Sequence, residues 1–165
     1  MKNHALKGAL GLAAASLLFV QPARADMGCW GPKQAAAAKV RDLQSRLMVA
    51  TMRCRAMGVD VLAAYNDFVR TNRTTIQDAN GVIKAQFVEG HGSDGMNQYN
   101  HFTTALANEY GDDPTDGAVC EETAVVAEEA AAAQGDVMTL LALAERMVPA
   151  PSLPGGECPI EFAER

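Results

Sequence analysis

The chain has 165 residues, 48% of them hydrophobic, 21% charged and 5% aromatic, with 14 lysines and arginines against 20 aspartates and glutamates. Its apolar runs all fall short of the ~18 residues a bilayer span requires, and the charge balance is acidic, which excludes a disordered polymer, a collagen, a polytopic membrane protein and a basic nucleic-acid binder. A small acidic globular protein remains.

Residues 1–25 read as a secretory signal. Lys2 and Lys7 give a positive start, Ala9 to Val20 is an apolar stretch of 12 residues, and Ala23-Arg24-Ala25 has the small-x-small pattern of a signal peptidase site. Cleavage after Ala25 leaves a single expected domain, 26–165, with 11 basic and 20 acidic groups, a net charge of −9 and no membrane span. The expected location is the periplasm or the extracellular space. All four cysteines fall in this exported part, so they read as two disulfides. Neither a CxxC redox pair nor a CxxCH haem attachment occurs.

Four helical stretches follow in order. Pro32 just inside the start and Gly58 just past the end frame a first helix over Lys33 to Met57, with Ala36, Val40, Leu43, Leu47, Ala50 and Cys54 in one stripe. Asp60 opens a second helix to about Glu89, striped by Leu62, Tyr65, Val69, Ile76, Ala79, Ile83 and Phe87, with a bend expected near Asn80-Gly81. After Gly90-His91-Gly92, Ser93 or Asp94 caps a third helix whose inner face holds Tyr99, Phe102, Leu106 and Tyr110. A fourth, alanine-rich helix spans about Gly117 to Val148, with Val137, Leu141, Ala144 and Val148 turned inward, and Pro149, Pro151 and Pro154 forbid its continuation. The tail 149–165 is expected to be irregular and tied down by Cys158.

No strand alternation or internal repeat is present, so the fold class is all-α. Short connections favour an up-down-up-down four-helix bundle, stapled by disulfides. An unbroken first helix holds Cys29 and Cys54 on the order of 30 Å apart at ~1.5 Å per residue, beyond the ~7 Å that a bridge spans. With helices one and four antiparallel, the expected pairs are Cys29 with Cys158 and Cys54 with Cys120.

Gly90-His91-Gly92-Ser93-Asp94-Gly95 matches GxGxxG, but dinucleotide binding needs a preceding strand where a helix is expected. A GxSxG elbow fails because His91 stands at its first glycine position, and Ser93, Asp94 and His101 lie too close in sequence to converge as a triad. His91, Asp94 and His101 are the weak candidates for a metal site, with Asp112, Asp113 and Asp116 a second acidic group that helix capping explains more simply. Met48 and Met52, with His101, have residue types suited to haem or a soft metal, although such methionines usually fill cores. Asn72-Arg73-Thr74 fits a glycosylation sequon, but on a helix the match reads as chance.

Charge is segregated along the chain. Residues 26–84 carry +4 and residues 85–165 carry −13. Either the halves pair across the bundle, or the acidic half meets a cationic protein. Most of this surface repels nucleic acid. The expected function is a non-enzymatic structural or interaction module without a cofactor; the alternative is a bundle binding a small ligand, haem or metal ion between its helices.

Overall fold

The longest helix, α1 (Pro32–Ala56), begins with proline at its first turn and ends where Gly58 takes φ +82°. There the Val59 amide donates to the Cys54 carbonyl at 2.9 Å and the Gly58 amide to the Arg55 carbonyl at 3.0 Å, the paired bonds by which a left-handed glycine satisfies the last carbonyls of a helix. The computed structural model describes residues 28–148 and 151–159. The expected signal segment 1–25, and residues 149–150 and 160–165 of the expected tail, lie outside the described residues.

The described residues are all helical apart from turns and one isolated bridge between Trp30 and Glu157. After α1 come α2 (Leu62–Thr71), α3 (Arg73–His91), a 3-10 turn (Gly92–Asp94), α4 (Gly95–Glu109), α5 (Gly117–Ala132) and α6 (Val137–Met147). Two expected long helices are therefore each divided. The second breaks at Asn72 and not near Gly81, which lies inside an uninterrupted α3. The fourth breaks where Gln134 and Gly135 adopt φ of +48° and +93°, after which the Asp136 carboxylate caps α6 by accepting from the Thr139 amide at 3.0 Å.

The two breaks meet. Asn72 is fully buried; its Nδ2 donates to the Phe68 carbonyl at 2.9 Å and the Ala130 carbonyl at 2.7 Å, and its Oδ1 accepts from the Gly135 amide at 2.7 Å. Thr71 Oγ1 donates to the Ala131 carbonyl and Thr75 Oγ1 to the Gly135 carbonyl. Side chains from one interruption thus satisfy the backbone groups that the other leaves without helical partners.

α1 is the central helix, in contact with all five others. Its buried positions encircle it: Val40, Leu43 and Leu47 on the expected stripe, and also Ala38, Asp42, Ser45, Val49 and Thr51 off it. Around it α3 presents Ile76, Ile83 and Phe87, α4 presents Phe102 and Leu106, and α6 presents Leu140, Ala144 and Met147. Full burial of each leucine, isoleucine or phenylalanine contributes roughly 1.5–3 kcal/mol, which makes this ring of contacts the main source of stability. Division of the helices shifts the buried faces: Phe68 is the buried side chain of α2, whereas Leu62, and Val137 at the start of α6, are exposed.

Cys54 and Cys120 are bridged with Cα atoms 5.6 Å apart, and Cys29 and Cys158 with Cα atoms 4.7 Å apart. These bonds tie the C-terminal end of α1 to the first turn of α5, and the segment before α1 to the segment after α6. Trp30 reinforces the second tie. Its amide donates to the Gly156 carbonyl, its carbonyl accepts from the Cys158 amide and its indole Nε1 donates to the Pro154 carbonyl, all between 2.8 and 2.9 Å, while the buried ring packs on Phe87 and Phe102.

Candidate functional site

Arg46, Ala50 and Arg53 follow one another at four and three residues, so they share one face of α1. Val119, Glu122 and Thr123 occupy the facing part of α5. Between them, with Tyr110, Asp113, Pro114 and Thr115 from the α4–α5 connection and Met147 from α6, lies a concavity of about 410 Å³. That volume falls within the range of small-molecule sites. Ala50 opens the space by contributing only a methyl group, and the buried Cys54–Cys120 bridge holds the neighbouring helix ends together.

The two arginines have different duties. Arg53 donates to the carbonyls of Tyr110, Gly111 and Asp113 and to Thr115 Oγ1, so its guanidinium clamps the connection that forms one wall. Arg46 is 30% exposed, lies 5.4 Å from the centroid of the Tyr110 ring, and approaches the Asp113 carboxylate only to 3.8 Å. Its donors remain available to a bound group.

Tyr110 connects this wall to a buried carboxylate. Its hydroxyl donates to Asp42 Oδ1 at 2.8 Å, and Asp42 is 1% exposed. Burial pushes the Asp42 carboxyl up to about 6, with Glu109 adding to the shift and the Tyr110 hydrogen bond and the Arg46 charge opposing it. Tyr110 is itself raised well above the ordinary phenol range, first by burial and then by its bond to Asp42 and that carboxylate's charge.

The residues singled out from the sequence lie elsewhere. His91 stacks on Phe87 with centroids 6.1 Å apart, Asp94 accepts from Asn97 Nδ2 and Gln98 Nε2, and His101 is exposed on α4. Those two amides hold the Asp94 carboxyl below the usual range. Among the described residues no three His, Cys, Asp or Glu side chains gather as a metal site, so these three do not form one. Asp113 faces Arg46, and Asp116 caps α5 by accepting from the Val119 amide at 2.9 Å. Met48 packs against the core whereas Met52 is 58% exposed, so the pair does not line one interior site. The segment before Gly92 is helix α3, and Gly95 serves close packing: a Cβ there would meet the Val88 Cα at 2.5 Å. Asn72 of the sequon is buried, with its amide nitrogen donating to carbonyl groups.

Sequence reasoning missed Asp42, Arg46, Arg53 and Glu122. The available signal was the four-and-three spacing of Arg46, Ala50 and Arg53 on a helix otherwise rich in apolar residues. Comparison with protein-family models, curated proteins and solved structures finds no match for this chain.

Proposed function

We propose that the protein is exported, with residues 1–25 removed as a signal peptide, and acts in the periplasm or outside the cell as a non-enzymatic interaction module that meets a cationic protein through its acidic C-terminal half. Paired cysteines suit an oxidising compartment. Counted as four legs, α1, α2–α3, α4 and α5–α6, the chain is an up-down-up-down bundle; support comes from the bridges, which join α1 end for end with α5–α6 in antiparallel sense.

One observation carries the partner reading. The basic half of the chain, among the described residues, leaves most acidic side chains of the other half without an ion pair. Among the described residues, only Lys39 with Glu145 and Arg46 with Asp113 form ion pairs between the two halves, while Arg53 is occupied by backbone carbonyls. Glu121 and Glu128 share an exposed face of α5 with the exposed Val125 and have no ion pair among the described residues. A surface of this kind steers an oppositely charged partner.

The test is non-covalent affinity capture at low salt from an extract of the native host, comparing wild type with the Glu121→Lys/Glu128→Lys variant. A basic partner that is captured by wild type, lost with the variant and released near ~1 M salt, where screening is strong, supports the reading. Equal capture by both proteins, or capture indifferent to salt, rejects it. A second reading, a small ligand held between helices, draws on the concavity between α1 and α5.

A further inference from the structure

The concavity between α1 and α5 has a charge pattern that selects among ligands. On the α1 wall Arg46 keeps donors available, because its nearest carboxylate, Asp113, stands at 3.8 Å. On the α5 wall Glu122 is exposed and has no ion pair among the described residues. Ala50, Val119 and Met147 supply apolar surface to the same space.

Two arginines and two carboxylates line the site, so its formal charge is balanced. A simple anion would be opposed by Asp113 and Glu122, and a simple cation by Arg46 and Arg53. A molecule with both charges on an apolar body meets each wall with the opposite sign and covers the apolar surface between. Arg46 offers two parallel N–H donors, the geometry that suits a carboxylate, and Glu122 offers acceptors that suit an ammonium group. Resting on the small-ligand reading above, we infer that this concavity binds a zwitterion with an apolar body, an apolar amino acid or short peptide whose carboxylate lies on Arg46 and whose ammonium group lies on Glu122.

The experiment is calorimetric titration of the disulfide-intact protein with leucyl-leucine, N-acetyl-leucyl-leucine, which lacks the ammonium group, and leucyl-leucinamide, which lacks the carboxylate. Saturable binding of the dipeptide, at least tenfold tighter than either masked analogue, is expected. Arg46→Gln should abolish the preference over leucyl-leucinamide and keep the preference over the acetylated peptide; Glu122→Gln should do the reverse. If a variant fails to fold, the comparison of the three peptides on wild type decides alone. Binding that ignores either mask overturns the zwitterion class while leaving a ligand site in place. Absence of saturable binding by all three peptides overturns the inference and removes the support for a peptide-sized ligand at this site.

Discussion

The side-chain oxygen of Asn72 accepts the backbone amide of Gly135 at 2.7 Å, across 63 positions of sequence, while its nitrogen donates to the Ala130 carbonyl. One buried amide therefore fixes two helix breaks against each other. Asn72→Ala should destabilise the protein by about 3 kcal/mol, because each buried group left without a partner costs about 1–3 kcal/mol. Asn72→Asp should be worse despite its matching shape, since it turns an acceptor toward the carbonyls of Phe68 and Ala130. Urea unfolding of the three proteins, compared at equal slope, measures both effects.

Gly81 and Gly95 should respond oppositely to alanine. Gly81 lies within α3 with nothing within 4 Å of an added Cβ, so Gly81→Ala should stabilise by about 0.5–1 kcal/mol through helix propensity. A Cβ at Gly95 would lie 2.5 Å from the Val88 Cα and 2.6 Å from the Phe87 carbonyl oxygen, both backbone atoms. Gly95→Ala should cost about 1–3 kcal/mol as α4 is forced off α3. Melting temperatures moving in the same direction would contradict this account.

The contrast between these glycines shows what was readable in the sequence. Helical class and the framing of α1 by Pro32 and Gly58 follow from local chemistry, and the stripe Ile76, Ala79, Ile83, Phe87 is buried in the fold. The breaks were not readable, because Asn72 and Gln134–Gly135 interrupt helices through bonds to each other, and no local window contains both. The centrality of α1 was hidden for a related reason. Asp42, Ser45 and Thr51 lie off the apolar stripe that the periodic pattern marks, yet all three are buried. The acceptors of Arg53 lie about 60 positions away in sequence, so its work becomes visible only once the α4–α5 connection folds over it.

Burial of Asp42 makes stability depend on pH. Its folded value is about 6, against about 3.9 in an unfolded chain, so the folded state holds the proton more tightly. The resulting stabilisation is fully present below about pH 4 and is lost as pH rises through 6, a change of roughly 3 kcal/mol. The exposed capping carboxylates Asp94 and Asp136, held low by their hydrogen bonds, act in the opposite sense and lose stability in acid. The difference between wild type and Asp42→Asn therefore isolates the effect. Between pH 4 and 7 wild type should lose stability relative to the variant, and parallel curves from unfolding at several pH values would remove the buried carboxylate from the account.

The two disulfides should separate by accessibility. Cys29 is exposed, whereas Cys54 and Cys120 are fully buried. Under a mild reductant and native conditions, alkylation followed by mass analysis should find Cys29 and Cys158 labelled first, with Cys54 and Cys120 labelled only as the protein unfolds. Removing the buried bridge in Cys54→Ala/Cys120→Ala should cost about 4 kcal/mol, given the 66-residue separation that it closes.

Arg53 differs from the other cations of α1 in what it holds. Its guanidinium reaches three carbonyls and the Thr115 hydroxyl, so a single side chain orders the connection from Tyr110 to Thr115 and with it one wall of the concavity. A lysine keeps the charge but presents one compact ammonium in place of a planar fork, and it cannot reach all of these acceptors together. Arg53→Lys should therefore leave the helices intact while raising amide exchange in residues 111–115 by about tenfold or more, equivalent to about 1.4 kcal/mol of local opening. Exchange unchanged in those residues, with the same overall melting temperature, would show that the connection is ordered by its packing on α1 and α5 and that Arg53 is dispensable to it.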